Sequence, residues 1–562
     1  MTIGVTLTSV IYDSWVFAEP ADAPIPVANP TLRSVFARRG IDTPEKFRRF
    51  VSPTLGDLHD PAGIHGMDSA CERIFQAIRD RETIVIYGDY DVDGVTSIVM
   101  LQTVLRSIGA DPEFVVPQRL VDGYGLKMEV LERVLAERKV RLVITVDCGI
   151  SSVEPVRLAI ERGIDVIITD HHLPPGVLPE AAAVLNPKQD GCAYPFKELA
   201  GVGVAFKLCC ELIRHSGKKI SIESLLKIAA IGTVADVAPL IGENRVIARL
   251  GLDGLADTRN RGLRALLRRA GLQGRPLRAT DIGFKIGPRI NAAGRLASAD
   301  TAIRLFAADD DDQAWAICGE LDRLNAERQQ IEVEVRGEAM KQIAGDERIL
   351  VLAGEGWHRG VVGLTAGRIA QQMHRPALAI SIDGEHAVGS GRSIPTINLH
   401  QQLSSVSDLF THFGGHEFAC GFSLPAAKIP ELRVRLRAQF ARLDERLFIR
   451  EARIDGAVTL AEITRDFVLA HEMLQPFGAG NAQPLFAIRR VSVTGKRPFA
   501  EECCEMHLAD ASGTGKAVIW PSAKQLHASI NGAPIDLLVQ IEADGWAESG
   551  GRMSIVDARA AE

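Results

Sequence analysis

TIVIYGDYDVDG, residues 83–94, is the stretch whose reading decides the fold. Thr83 to Tyr87 are β-branched or aromatic and stop at a glycine, which predicts a short buried strand. Directly after Gly88, Asp89, Asp91 and Asp93 occupy alternate positions, and Gly94 ends the turn. Like charges this close raise one another's pKa and strain the fold, and a cation relieves that cost. Three other readings compete. A solvated acidic turn leaves the apolar strand in front and the apolar helix behind unexplained. An EF-hand loop also begins D-x-D-x-D-G, but counted from Asp89 its twelfth position is Met100, where a bidentate Glu is required. A dinucleotide-binding turn uses glycines here, and carboxylates would repel a pyrophosphate.

Outward from this stretch, residues 70–245 alternate short apolar strands with helical patterns. TIVIY is followed by a helix whose apolar positions Ile98, Leu101, Leu105 and Ile108 share one face. Then come EFVVP, a helix at 127–138, RLVITV ending at Asp147, a further helix, and DVIIT ending at Asp170-His171-His172. Such βαβ alternation predicts a parallel, doubly wound sheet, in which ligands sit beyond the carboxyl ends of the strands. All three acidic motifs fall at those ends, and a fourth acid, Asp236, closes the helix LLKIAAIGTVADV. Carboxylates with imidazole and no thiolate suit Mn²⁺ or Mg²⁺ better than zinc. Taken alone, His171-His172 reads as a satisfied structural pair and Asp147 as a strand-end turn; convergence at one sheet edge favours a metal site.

The chain has 562 residues, 46 % of them hydrophobic, enough for several cores. Its formal net charge of -7 argues against general adhesion to nucleic acid, so any such binding rests on a local basic surface. Nine cysteines lie without CxxC or Cys/His zinc spacing, as expected for reduced thiols in the cytoplasm. No Lys or Arg precedes Arg33, unlike the charged start of a signal peptide, and no apolar run reaches membrane-spanning length.

The expected organisation is an N-terminal helical segment at 1–69, the α/β metal domain at 70–245, and a helical linker at 246–345. A second α/β domain at 346–445 and an OB-like β-barrel at 446–562 complete it. Between Thr258 and Thr280 stand seven arginines (259, 261, 264, 268, 269, 275 and 278) and no acid, either a solvated face or a phosphate-tracking surface. GPRINAAGR, 287–295, reads as a Gly/Asn-rich turn offering Arg289 and Arg295 to an anion. AADDDD then opens a long helix from about 311 to 344, its acids at the positive end. In the second α/β unit, HAVGSGRS supplies Ser390 and Arg392, and FGGHEFACGF reads as a Gly-Gly-His turn (Gly414, Gly415, His416). The last 110 or so residues show alternating strands with Gly, Ser and Pro turns, a small closed barrel by their spacing. There Lys496, Arg497, Phe499 and Trp520 offer either a single-strand stacking surface or core and rim.

The motif set resembles the DHH/DHHA1 phosphoesterase superfamily, and within it the single-strand-specific exonucleases. The resembling residues are GDYDVDG (88–94), VDCG (146–149), TDHH (169–172), GTVADVAPL (232–240), GWHRGVVG (356–363) and GGHEFACG (414–421). The resemblance implies two Mn²⁺ (or Mg²⁺) ions held by Asp91, Asp93, Asp147, His171 and Asp236. Asp89 and His172 would stand in or beside that shell and Asp170 would orient an imidazole. Some members carry a His where this chain has Tyr87, which leaves one coordination position open to a water. The resemblance also implies phosphate binding by PQRLVDGYGL (Arg119), by Arg295 and by GSGRS (Ser390, Arg392), with His416 near the scissile group. The implied activity is hydrolysis of single-stranded DNA from a 5′ end to 5′-mononucleotides in DNA repair and recombination. A single-strand-binding protein and a helicase are the implied partners, the cytoplasm the place, and no membrane is involved. The alternatives are a superfamily phosphodiesterase for short oligonucleotides or cyclic dinucleotides, and a non-catalytic replication scaffold.

Overall fold

A computed structural model describes residues 9–119, 125–137, 139–530, 534–544 and 550–561. The chain forms two compact units, Thr54–Leu443 with Gly478–Gly480, and Met1–Pro53 with Asp444–Phe477 and Asn481–Glu562.

In the first of these, five parallel strands form the expected sheet: β1 (Thr83–Gly88), β2 (Glu113–Val115), β3 (Val140–Val146), β4 (Asp165–Thr169) and β5 (Ala183–Leu185). Their order is β2-β1-β3-β4-β5. Alternate residues feed opposite cores: Ile84 and Ile86 pack with Leu142 and Ile144 on one face, Val85 and Tyr87 with Val143 and Val166 on the other. Covered on both faces, the strands read as near-continuous apolar runs, which is why they were legible. β5 is only AVL between prolines and loops, too short for a periodicity signal. The connection from β1 runs out to β2 and the next returns past it to β3. The crevice of a doubly wound sheet therefore opens between the carboxyl ends of β1 and β3.

Three helices surround this crevice: α1 (Val92–Ile108), α2 (Gly201–Ser216) and α3 (Ile222–Ala235). GPRINAAGR is not a turn but a helix, α4 (Gly287–Leu296), with Pro288 in its first turn. Pro there costs no hydrogen bond, and Gly294 serves contact rather than a turn. A Cβ on Gly294 would lie 2.5 Å from the Tyr90 carbonyl oxygen. α5 (Asp311–Met340) is the long linker helix, capped by Asp310, whose side chain accepts from the Gln313 amide. At about 1.5 Å per residue its 30 residues span roughly 45 Å.

The second α/β domain has a mixed sheet of β6 (Leu350–Glu355), β7 (Ala377–Asp383), β8 (His386–Arg392), β9 (His412–His416) and β10 (Ala419–Pro425), in the order β9-β10-β8-β7-β6. Only β6 and β7 run parallel, joined through α6 (Val362–Met373). The expected Gly-Gly-His turn is instead a strand: Gly414, Gly415 and His416 belong to β9, which pairs with β10 as a hairpin.

In the other unit, strands Phe486–Ala500, Cys503–Ala509, Thr514–Ile519, Gly551–Ala560 and Ile535–Ala543 close into a barrel through pairing of the first with the last. Leu32, Val35 and Phe36 share its core with Phe467, Phe477 and Phe486. The buried Asp557 carboxylate accepts from the amides of Val10, Ile11 and Tyr12. The N-terminal segment expected at 1–69 thus divides, residues up to Pro53 belonging with the barrel. No helix among the described residues is long and apolar enough to cross a membrane.

Candidate active site

The site is assembled where β1, β3 and β4 end. Asp91 caps α1, its Oδ1 accepting from the amides of Asp93 (2.9 Å) and Gly94 (3.1 Å). Asp93, one residue into the helix, points the other way. Its oxygens accept from Gly201 N (2.8 Å) and Val202 N (2.6 Å), the free amides opening α2. Two helix N-termini therefore meet over the acids, and their positive ends offset part of the crowded charge. Asp147 follows β3 in a left-handed conformation (φ 59°), a strained state for a residue with a Cβ and one that clusters at functional sites. A Cβ at Gly201 would lie 2.5 Å from Asp147 Oδ1, so only glycine leaves that carboxylate its place.

After β4, buried Asp170 accepts from Ile150 N (2.9 Å), His171 N (2.7 Å), His172 N (3.0 Å) and lies 2.7 Å from His172 Nδ1. Burial works against ionisation of Asp170, but its hydrogen bonds from His172 outweigh that and hold it below the usual carboxylate range. His172 is desolvated too, yet Asp170 raises its pKa. Burial pushes His171 down to about 3, leaving a neutral imidazole. It stands between Asp147 (Nε2–Oδ1 3.2 Å) and Asp236 (Nδ1–Oδ2 3.9 Å).

These side chains suit a cation centre. Potential ligand atoms of Asp93, His171 and Asp236 lie within 4.8 Å of one another, as do those of Asp89, Asp91 and Asp147, and those of Asp147, His171 and His172. Asp89 Oδ1, Asp147 Oδ1 and His171 Nε2 are buried with no hydrogen-bond partner. Burial, then the neighbouring carboxylates, push Asp93 up to about 7 and Asp236 up to about 9, and hold Asp89 and Asp147 well above the ordinary value. Unsatisfied buried acceptors that resist ionisation in one another's presence are what divalent cations would satisfy. Tyr87 takes no part: its hydroxyl donates to the Gly125 carbonyl (3.1 Å) from the opposite face of the sheet. Asp89, rather than Tyr87, brings a potential ligand atom to within 4.8 Å of those of Asp91 and Asp147.

The second α/β domain reaches this centre through its hairpin. His416 lies 6.4 Å from His172, ring planes within 16° of parallel. A cavity of about 700 Å³ is lined by His171, His172, Asp236, His400, Gly415 and His416, among others. Gly415 lines it, whereas Gly414 does not. Behind Asp89 and Asp91 the arginines gather. Arg119 lies over the Tyr90 ring at 5.0 Å, and Arg392 Nη1 donates to Ser390 Oγ (2.9 Å). Arg295 Nη1 donates to the Gly360 carbonyl (3.1 Å). Desolvation, then the charges of Arg119, Arg328 and Arg392, lower Arg295 to about 9. Of the stretch PQRLVDGYGL, positions 120–124 lie outside the described residues.

Other expectations change. Arg289 is no part of this pocket, its Nε pairing with Asp322 Oδ1 at 2.7 Å. Of the seven linker arginines, Arg264 pairs with Asp311 (2.8 Å), Arg269 with Asp322 (3.3 Å) and Arg275 with Asp281 (2.5 Å), while Arg268 lies over Trp315. Three of the seven thus find acids outside the stretch, while Arg259, Arg261, Arg264 and Arg268 stay exposed. On the barrel, Phe499 is 52 % exposed beside Trp520, but Lys496 donates to the Ile530 carbonyl and Trp520 Nε1 to Ser554 Oγ. Sequence reasoning missed the Gly201 and Val202 amides, although GVG at a helix start is a readable signal.

Fold and site together define a phosphoesterase of the DHH type, its second domain closing over the acid cluster and an OB-type barrel appended. Family models agree in chain order: DHH family, N-terminal domain over residues 83–233, DHHA1 domain over 346–442, and RecJ OB domain over 454–551. The chain belongs to the RecJ family. It is similar to the single-stranded-DNA-specific exonuclease RecJ of Salmonella typhimurium, 37 % identical over 83 % of this chain and 84 % of the relative. It is also similar to RecJ of Bacillus subtilis, 41 % identical over 81 % of this chain, where it spans 58 % of the relative's length. A crystal structure of Thermus thermophilus RecJ in complex with Mn²⁺ matches with TM-score 0.83 at 29 % identity, covering 98 % of this chain and 80 % of that one.

Proposed function

We propose that this chain is a divalent-cation-dependent exonuclease that shortens single-stranded DNA from a 5′ end and releases 5′-mononucleotides. What carries the reading is the adjacency of two clusters of opposite character. Buried atoms of Asp89, Asp147 and His171 lack hydrogen-bond partners at the sheet edge, and Arg119, Arg295 and Arg392 repel one another beside them. The first cluster calls for divalent cations and the second for a phosphate.

Asp93, His171 and Asp236 would hold one cation, and Asp89, Asp91 and Asp147 a second. Two bound Mn²⁺ or Mg²⁺ ions supply Lewis acidity and an acidified water. The chain does the rest. Arg119, Arg295 and Arg392, with Ser390, grip the terminal phosphate and fix the register, so distance from the end sets the bond that is cut. Asp170 fixes the orientation of His172. His416, whose pKa is lowered by burial and then by His172, offers a neutral imidazole to the scissile phosphate. A narrow cleft between the α/β domains would exclude duplex. The barrel would guide the strand with an affinity that weakens in salt. Work in the cytoplasm beside a single-strand-binding protein and a helicase completes the reading.

Timed digestion of 5′- and 3′-end-labelled single strands, with each divalent ion in turn, tests it. Expected is stepwise loss from the 5′ end, with duplex resistant. Preference for a dinucleotide or cyclic dinucleotide, or no hydrolysis in manganese, would replace it with one of the alternatives. Asp147→Ala should abolish hydrolysis while leaving DNA binding, and retained turnover would overturn the cation assignment.

A further inference from the structure

Two charged side chains of α5 are buried, Arg328 and Glu332. Arg328 is only 6 % exposed, its Nη2 donates to Asn325 Oδ1 (2.7 Å), and its Nε is buried with no hydrogen-bond partner. The carboxylate one turn further on, Glu332, is fully buried and already held by Arg336 Nε (3.1 Å) and by Arg368 Nη1. Among the described residues no acid forms an ion pair with Arg328. A guanidinium taken out of water without a counter-ion is strongly destabilising. Glu332, shared with Arg336 and Arg368, offsets the Arg328 charge only in part, and an anion arriving from outside would offset the rest.

The surroundings say which anion. α5 packs along α4, which carries Arg295, and against α6. α6 in turn lies under Arg392: a Cβ on Gly363 would stand 3.2 Å from Arg392 Nη2. Among the charges felt at Arg295, that of Arg328 follows Arg119 and precedes Arg392. Arg328 is thus a buried cation whose charge Glu332 offsets only in part, since burial and the Arg368 charge outweigh that carboxylate, and its charge is felt at Arg295. We propose that Arg328 is a fourth cation of the terminal-phosphate pocket, a specificity-determining residue presented by the linker helix. This rests on the 5′-end reading above. A phosphate monoester seated there would tie together α4, α5 and β8, so the linker helix would sense whether an end is occupied.

A residue retained for packing and one retained for an absent anion respond oppositely to loss of charge. Arg328→Met keeps most of the stem and removes the buried cation. The full-length variant should melt higher than wild type in phosphate-free, divalent-free buffer. Inorganic phosphate should raise its melting temperature less than it raises that of wild type. On end-labelled single strands, its ratio of kcat/KM for 5′-phosphate over 5′-hydroxyl ends should fall by about tenfold, as for loss of a charge-assisted contact. Arg328→Lys, with charge but no planar fork, should fall between the two. Arg328→Gln repeats the comparison with a polar stem. A variant that melts lower, keeps the full phosphate-induced rise and loses both substrates equally would make Arg328 a packing residue and overturn the proposal. Should wild type digest no DNA, the exonuclease reading fails, and the phosphate-dependent melting still decides Arg328.

Discussion

At the scale of single residues, the acid cluster links pH, cations and stability. In an unfolded chain a carboxyl titrates near about 3.9, whereas Asp93 is pushed up to about 7 and Asp236 up to about 9 here. Between those values the folded, cation-free protein holds protons that the unfolded chain has released, so its stability falls as pH rises. His171 acts in the opposite sense only below about pH 6.5, where an unfolded imidazole would take up a proton and this buried one does not. The clean window is therefore pH 7 to 9. In EDTA, the melting temperature at pH 9 should be lower than at pH 7 by at least about 2 °C, and excess Mn²⁺ should raise it more at pH 9. Differential scanning calorimetry showing a flat or rising trend in EDTA would mean that these acids are not mutually strained. A second residue pair behaves differently. Lys207 and Glu243, each 1 % exposed, meet at 2.5 Å, and Glu243 Oε2 accepts from the Tyr194 hydroxyl at 2.6 Å. Glu243→Gln leaves the lysine charge buried without an acid and should cost about 3–5 kcal/mol in denaturant unfolding. A loss under about 1 kcal/mol would show that Lys207 finds water instead.

At the scale of elements, α2 joins these two features. Its first amides hold Asp93 and its second turn holds Lys207, so the helix anchored by the buried ion pair also aims a carboxylate. Gly201→Ala puts a methyl group on Asp147 Oδ1 while sparing the helix and the ion pair. Manganese affinity by titration calorimetry should drop by about 10- to 100-fold with an unchanged circular dichroism spectrum. Wild-type affinity would remove Gly201 from the site. Elements also show what was legible. The parallel strands and the acids at their ends could be read because burial on both faces leaves an unmistakable apolar run and a carboxylate cannot hide at its end. GPRINAAGR and FGGHEFACG misled because glycine and asparagine are also the usual marks of turns. Here Gly294 admits the backbone at Tyr90, and Gly414 and Gly415 sit within a hairpin strand. Gly414 and Gly415 pair locally, with Gly421 and Cys420 across the hairpin, whereas Gly294 depends on a neighbour that lies far away in the sequence. The same holds for the linker arginines, whose acids Asp311 and Asp322 come from a different helix.

At the scale of the whole molecule, chain order and packing order differ. Leu32, Val35 and Phe36 are buried among barrel-unit residues that begin more than 400 positions later, and Arg38 pairs with Asp455 at 3.0 Å. The catalytic unit, by contrast, has its own continuous core from Ile64 to Leu324 and a second around α6. Two truncations that differ only at the front should therefore behave in opposite ways. A chain of residues 54–443 keeps both α/β domains and the long helix. It should stay soluble and hydrolyse short single strands in Mn²⁺, although Leu240 loses the hydrogen bond from its amide to the Ala479 carbonyl (2.7 Å). A chain of residues 1–443 adds a segment whose apolar face has lost everything that covered it. Exposed Leu, Val and Phe on a short helix drive association, so this longer chain should aggregate on size-exclusion chromatography. Equal solubility of the two would mean that the first 53 residues fold without the barrel, and the shared core would then be incidental to stability.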